Sequence, residues 1–519
     1  MRSVWWQEGV FYQIYPRSFQ DSNGDGIGDL EGIIARLDHL NDGTARSLGV
    51  DAIWLSPFYR SPMADFGYDV AHYTDVDPIF GTVSDFDRLV AEAHRRKIRV
   101  IVDLVPGHTS NQHPWFIASR SSRKDPKRDW YIWADPRSGG GPPNNWRSVF
   151  RRAGAAWTLD AHTGQYYLHH FLPEQPDLNW WNDQVRGAID DVMRFWLDRA
   201  VDGFRVDVAS GLIRDQQLRN NPRLRFRGWP RLRNWDLDEV HEIHRRWRKV
   251  LDSYPGERMA VGEIGVRDLR RLVRYYGADD ELQLSFNFHF LEQPWKADRF
   301  QRVVERWEAL LPSAAWPDYT LSNHDRSRAT TRYGEERAGA AAVMLLTLRG
   351  TPFVYYGEEI GMVDVPIPRD RILDIDGRDP ERTPMQWDGS VNAGFTTGAP
   401  WLPLAADATK RNVAAQRDDP ASLFSLYRRL IWLRKESAAL RRGSYRTLPA
   451  PSGVFAYARE AEGERVFVAL NFGKARRRVS PGSGEGRVLV STDHARDGDG
   501  VDLGGFALAA DEGVVVAPR

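Results

Sequence analysis

The stretch Asp202-Gly-Phe-Arg-Val-Asp-Val208 decides the fold of this chain. Within it Phe204-Arg205-Val206-Asp207 is a short, largely apolar run that ends in an acid a core strand has little reason to carry. Three other runs end the same way: Ile101-Val102-Asp103, Ala260-Val261-Gly262-Glu263 and Thr320-Leu321-Ser322-Asn323-His324-Asp325. A buried carboxylate is costly unless it is paired, hydrogen-bonded or used in chemistry. Four of them at the carboxyl ends of strand-like runs imply one cup of acids at the mouth of a barrel. Strand alternation puts Arg205 and Asp207 on one face. A guanidinium in that position holds a carboxylate ionised, as a carboxylate nucleophile requires. Glu263 lies between apolar residues, where loss of water favours the neutral acid and suits it to proton donation. One acid kept charged and one kept neutral are the two parts of a glycosidase mechanism.

Working outward, strand-like runs recur at 10–15, 51–56, 99–105, 203–208, 259–264, 282–288, 318–323 and 352–357. Helical patterns lie between them, at 183–200, 236–252, 267–276, 297–311 and 335–348. The clearest follows Thr82, where Ser84 with Asp87 reads as a capping box ahead of Phe86, Leu89, Val90 and Ala93. Eight strands alternating with helices predict an α/β chain closed as a (β/α)8 TIM barrel. The segment 109–178 is rich in Trp, Pro, Gly and Asn and is too long for a bare loop, so it predicts a small inserted domain. After a helix over 421–437, runs at 454–459, 465–472, 487–491 and 513–517 predict a C-terminal antiparallel β-sandwich. The expected division is 1–108 and 179–440 for the barrel, 109–178 for the insertion and 441–519 for the sandwich.

Composition excludes several classes. A chain of 519 residues with 42% hydrophobic content buries a large core. Basic and acidic residues balance at 71 each, so no overall field favours nucleic acid or an acidic membrane. The arginine runs near 224–233 and 245–248 read as solvated faces. No cysteine is present, which removes disulfides, thiolate metal sites and thiol catalysis. The start of the chain lacks an apolar signal core and no stretch reaches membrane-span length, so a cytoplasmic protein, a monomer or weak homo-oligomer, is expected.

The motifs Asp103-Leu-Val-Pro-Gly-His108, Gln175-Pro-Asp-Leu-Asn179, Gly203-Phe-Arg-Val-Asp207, Gly262-Glu263, Ser322-Asn-His-Asp325 and Thr351-Pro-Phe-Val-Tyr-Tyr-Gly-Glu-Glu359 occur in this order. In that order and spacing the chain resembles the α-amylase family of glycoside hydrolases, specifically its oligo-1,6-glucosidase and α-glucosidase branch. The resemblance implies that Asp207 is the nucleophile, Glu263 the acid/base, and Asp325 the group gripping the sugar 2- and 3-hydroxyls. It implies that His108 and His324 bond the same glucose and that Asp103 braces Arg205. Asp65-Phe-Gly-Tyr68 resembles a further family element, in which Tyr68 stacks on the sugar. Gly377-Arg-Asp-Pro-Glu-Arg-Thr-Pro-Met-Gln-Trp387 resembles a signature of the branch, in which Arg382 joins Asp65 at the terminal 4-hydroxyl. Such a pair blocks extension beyond the non-reducing end and makes the enzyme remove one glucose at a time.

Val208, directly after the implied nucleophile, leans the linkage towards α-1,6, since strict α-1,4 relatives often carry Thr there. Asp21-Ser-Asn-Gly-Asp-Gly-Ile-Gly-Asp29 begins like a calcium loop, with oxygen side chains at 21, 23 and 25 and Gly26 at the turn. Gly32 stands where an EF-hand would place its bidentate Glu, so the match is partial. By resemblance a structural calcium, or sometimes magnesium, is bound by Asp21, Asn23, Asp25, the Ile27 carbonyl and Asp29; the alternative is an Asx-rich turn without an ion. Gly107 departs from the family, which usually has Asn before that histidine; this puts a second calcium site in doubt and predicts a looser junction with the insertion. The expected substrate is a short α-linked oligosaccharide. The rivals are a transglycosylase or isomerase of the same family, and a scaffold subunit without catalysis.

Overall fold

The computed structural model describes residues 4–222 and 232–519. Eight parallel strands form its frame: β1 Phe11–Ile14, β2 Ala52–Leu55, β3 Arg99–Leu104, β4 Gly203–Val206, β5 Met259–Gly262, β6 Leu284–Ser285, β7 Asp318–Thr320 and β8 Thr351–Tyr355. Their order in the sheet is β6-β5-β4-β3-β2-β1-β8-β7. Sequence neighbours are therefore spatial neighbours, as successive βα units require. The ladder is open only between β6 and β7. This is the expected barrel. Seven of the eight predicted runs contain their strands, and the eighth strand starts one residue before its run, at Thr351.

The barrel interior is filled from alternate strand positions. Phe11, Trp54, Ile101, Val261, Leu284, Phe286 and Phe353 form one buried cluster, with Phe11 and Phe353 stacked at 4.6 Å between ring centroids. Burying each such side chain contributes about 1.5–3 kcal/mol. Helices cover the outside. The helix Val83–Arg95 buries Phe86, Leu89, Val90 and Ala93, as its spacing predicts. Its capping box is Thr82 with Asp85, however, and not Ser84 with Asp87. Thr82 keeps an extended backbone, the conformation an N-cap needs, whereas Ser84 already lies inside the first turn. Arg245, Arg246 and Arg248 on Val240–Asp252 pair with Glu281, Asp190 and Asp252. The other arginine run, near 224–233, lies mostly outside the described residues.

Between β3 and β4 the chain forms the helix Pro114–Ser121 and a three-stranded antiparallel sheet of Trp133–Ala134, Gln165–Leu168 and Trp157–Asp160. This insertion has its own core of Trp146, Ala156, Trp157 and Leu168. Its junction is not loosened at Gly107. The Gly107 carbonyl accepts from Leu178 N at 3.1 Å, and Trp180 Nε1 donates to the Pro106 carbonyl at 2.8 Å. The C-terminal part holds a six-stranded antiparallel sheet and a two-stranded one, Arg477–Val479 with Phe506–Leu508. Phe467, Val488 and Val516 of the larger sheet share a core with Val479, Phe506 and Leu508 of the smaller. The sandwich is thus as predicted. Among the described residues no helix is long and apolar enough to cross a membrane.

Candidate active site

Strand register assembles the cup. In the β3–β4 ladder Asp103 stands opposite Arg205, and in the β4–β5 ladder Val261 stands opposite Arg205. The amides of Asp207 and Glu263 extend these ladders by one residue, to Leu104 O at 2.8 Å and Val206 O at 2.9 Å. Three carboxylates therefore surround one guanidinium. Arg205 Nη1 donates to Asp103 Oδ1 at 2.6 Å and to Asp207 Oδ1 at 2.7 Å, and Nη2 donates to Glu263 Oε2 at 2.6 Å. Arg205 is 1% exposed, and a buried cation of that kind is stable only with such partners.

Val208 has φ of 45°, a left-handed conformation that is costly for a β-branched residue. The bend lets its N–H donate to Glu263 Oε2 at 3.2 Å. Burial on the two acids reverses the sequence expectation: the Asp207 side chain is 7% exposed and that of Glu263 is 23%. Glu263 stands one step higher in the mouth, and a guanidinium rather than apolar residues meets its carboxylate. Burial is the main influence on Asp207 and raises its pKa; Arg205 opposes it, while Glu263 and Asp103 add to it. Asp103, fully buried, is pushed up to about 6 for the same reason, again against Arg205.

A chain of hydrogen bonds braces the floor. Gln13 Nε2 lies 2.8 Å from His324 Nδ1, His324 Nε2 lies 2.6 Å from the Tyr68 hydroxyl, and that hydroxyl donates to Asp103 Oδ2 at 3.2 Å. Trp54 Nε1 donates to the same carboxylate oxygen at 3.0 Å. Burial lowers His324 to about 3, so the ring is neutral and passes hydrogen bonds instead of charge. Tyr68 and His324 stack in parallel at 5.3 Å. His108, likewise lowered by burial, has Nε2 at 3.1 Å from Tyr68 O and 3.0 Å from Gln175 Nε2.

The far wall carries a correction. Asp65 is met by Arg378, with Nη2 at 2.5 Å from Oδ1, and by Gln175 Nε2 at 2.9 Å from Oδ2. Arg382, expected there, instead donates from Nη2 to Asp325 Oδ1 at 3.0 Å and from Nε to the His324 carbonyl at 2.7 Å. The 3-10 turn Asp379–Arg382 carries Arg382 into the floor, where it is wholly buried, and leaves Arg378 at the rim. Arg378 also donates to Asp325 Oδ1 at 3.0 Å and lies over the Phe150 ring of the insertion. Burial alone would raise Asp325; His324, Arg378 and Arg382 together overcome it and hold the carboxyl well below the ordinary range. Arg378 stands inside the Gly377–Trp387 signature, and only the acids Asp65 and Asp374 mark it in the sequence. Nothing marks Gln13 and Trp54, because an amide and an indole in an apolar strand read as core.

The Asp21–Asp29 loop folds as a ladder of Asx turns. Asp21 Oδ1 accepts from the amides of Asn23 and Gly24, Asn23 Oδ1 from Asp25, and Asp25 Oδ1 from Ile27. Asp29 caps the helix Leu30–Leu40 through Gly32 N. The donor set is all oxygen, which suits a hard cation. Among the described residues no three His, Cys, Asp or Glu side chains converge on a metal position. A cation here would therefore rest on carboxylate, amide, carbonyl and water oxygens together.

The family model described as "Alpha amylase, catalytic domain" matches residues 13–443. A probable alpha-glucosidase of Rhizobium meliloti is 41% identical, over 94% of both chains. An oligo-1,6-glucosidase of Heyndrickxia coagulans is 40% identical over 90% of this chain and 92% of its own. Among solved structures, an α-glucosyl transfer enzyme superposes with a TM-score of 0.92 at 41% identity over 100% of both chains. The trehalulose synthase of Pseudomonas mesoacidophila MX-45 superposes at 0.91 with 34% identity, also over 100% of both. The chain belongs to the α-amylase family and is a glycoside hydrolase.

Proposed function

We propose that this enzyme is a retaining, exo-acting α-glucosidase that releases terminal glucose from short α-linked oligosaccharides, with α-1,6 linkages favoured. The observation that carries the reading is the single guanidinium of Arg205, bonded to Asp207 on one nitrogen and Glu263 on the other. Two carboxylates bonded to one guanidinium lie close to each other, which supports the short separation of a retaining pair over the wider one of an inverting pair. Asp207 attacks the anomeric carbon and Glu263 gives its proton to the leaving oxygen, so a covalent glucosyl ester forms as the aglycone leaves. Glu263 then takes a proton from water, which displaces Asp207 and restores the α-configuration. Asp325, kept ionised by Arg378 and Arg382, bonds the ring hydroxyls, and such bonds strengthen as positive charge develops on the sugar. Asp65 and Arg378 close the non-reducing end. His108, His324 and Tyr68 complete the sugar-binding wall, and Asp103 positions Arg205.

The linkage preference rests on Val208, which offers the acceptor an isopropyl group and no hydroxyl. Such a difference is worth about 1–3 kcal/mol. The likeness to an α-glucosyl transfer enzyme and a trehalulose synthase favours a second reading, transfer to a sugar in place of water. Comparing kcat/KM on isomaltose, maltose, trehalose and sucrose, with product analysis, separates the cases. Glucose release led by isomaltose is expected. A strong maltose preference refutes the Val208 argument, and accumulating disaccharide isomers replace hydrolysis with transfer.

We also propose that the loop of Asp21, Asn23, Asp25, Ile27 and Asp29 takes a structural Ca2+, with Mg2+ as the alternative. The ion would stabilise the loop and supply no chemistry. The expected result is a higher Tm in calcium than in EDTA with unchanged kcat; an unchanged Tm leaves the loop as an Asx turn.

A further inference from the structure

Asn234-Trp235-Asp236 is tied down more firmly than a loop of its position requires. The Trp235 indole N–H donates to the Gly265 carbonyl at 3.0 Å, two residues beyond Glu263. Asn234 Nδ2 lies 2.6 Å from His170 Nε2, and Asn234 Oδ1 accepts from Asn221 at 2.8 Å. On the other side the Asp236 amide donates to the Ser210 carbonyl at 2.9 Å, three residues beyond Asp207, and its carboxylate accepts from the Tyr275 hydroxyl at 2.7 Å. The ring between these anchors is only half-buried. An aromatic side chain that is fixed yet left partly open to solvent is not explained by core packing.

Two glycines make room for it. A Cβ at Gly211 would meet Val208 Cγ1 at 2.8 Å and Trp235 Cζ3 at 2.9 Å, and a Cβ at Gly265 would meet Trp235 Cζ2 at 3.1 Å. The indole therefore lies on the backbone of both loops that leave the catalytic strands β4 and β5. Through Gly211 it also abuts Val208, whose amide holds the Glu263 carboxylate. On the α-glucosidase reading a leaving group stands beside the residue that protonates it, so this side of the cup is the leaving-group side.

We propose that Trp235 forms the wall of the leaving-group site and stacks on the apolar face of the reducing-end sugar. This rests on the α-glucosidase reading of the cup. The ring supplies contact area and the anchors remove the entropy cost of fixing it, so the sugar meets a preformed platform. The chemical class that fits is a pyranose or similar ring with one C–H face, held beside Val208 while Glu263 protonates the bond between the two sugars.

The test compares substrates with and without a ring in that site. In α-glucosyl fluoride the leaving group is a single atom that cannot reach Trp235. In Trp235→Ala, the ratio of kcat/KM on isomaltose to that on α-glucosyl fluoride is expected to fall roughly tenfold or more. Trp235→Phe, which keeps a stacking face, is expected to restore most of the ratio, and it guards against a folding defect in the alanine variant. An unchanged ratio in Trp235→Ala overturns the assignment, as does a parallel loss on both substrates. A wild-type enzyme that turns over no α-glucoside removes the glucosidase reading itself, and this one with it.

Discussion

Arg205 Nη1 lies 2.7 Å from Asp207 Oδ1, with Arg205 on β4 and Asp207 directly beyond its carboxyl end. Strand alternation alone produces that contact, and the β3–β4 register adds Asp103 to it. A single cation thus sets the position of the attacking carboxylate, and through its other nitrogen that of Glu263. Arg205→Lys keeps the charge but loses the fork. We expect kcat on p-nitrophenyl α-glucoside to fall about 100-fold or more, with a smaller change in KM. Near-wild-type turnover would contradict the assignment.

The pairing of Asp65 with Arg378 predicts an energetic coupling that Arg382 does not share. A double-mutant cycle of Asp65→Ala with Arg378→Ala, read as kcat/KM for isomaltose, should give about 1–3 kcal/mol of interaction. The cycle of Asp65→Ala with Arg382→Ala should give the smaller value, because Arg382 acts on Asp325 and the His324 carbonyl. A larger coupling with Arg382 would restore the original assignment at the non-reducing end.

Glu358 predicts a pH dependence of stability. Its carboxylate accepts from the Ser322 hydroxyl, three residues before Asp325, and from the Tyr427 hydroxyl at 3.0 Å. Burial pushes it up to about 7 from 4.5, against these two donors, and Glu359 adds to the rise. Between pH 4.5 and 7 the folded chain therefore holds a proton that the unfolded chain has lost. Stability is full below that window, declines through it, and levels off above it. Glu358→Gln removes the titration, so Tm should fall less from pH 5 to pH 7.5 in the variant than in the wild type. Equal slopes would show that Glu358 does not titrate in this range.

The barrel and its acids were legible because they obey local rules. Period-two alternation located Arg205 and Asp207, and the β-branched runs located the strands. The misreadings share one cause, which is that they depend on where a turn points. Ser84 and Thr82 both suit a cap, and only backbone conformation separates them. Arg378 and Arg382 differ by one 3-10 turn, which sends one to the rim and the other to the floor. The relative exposure of Asp207 and Glu263 depends on the height of each strand end in the mouth, and no flanking residue reports that. Trp235 was invisible for a similar reason, since its setting is made by Gly211 and Gly265 on two other loops.

The central claim is that Asp207 forms a covalent glucosyl ester. Incubation with 5-fluoro-α-glucosyl fluoride, followed by peptide mapping by mass spectrometry, tests it most directly. The account predicts one fluoroglucosyl group on Asp207 in the wild type and none in Asp207→Asn, which is also inactive on p-nitrophenyl α-glucoside. A label on another carboxylate, or turnover retained in Asp207→Asn, would contradict it.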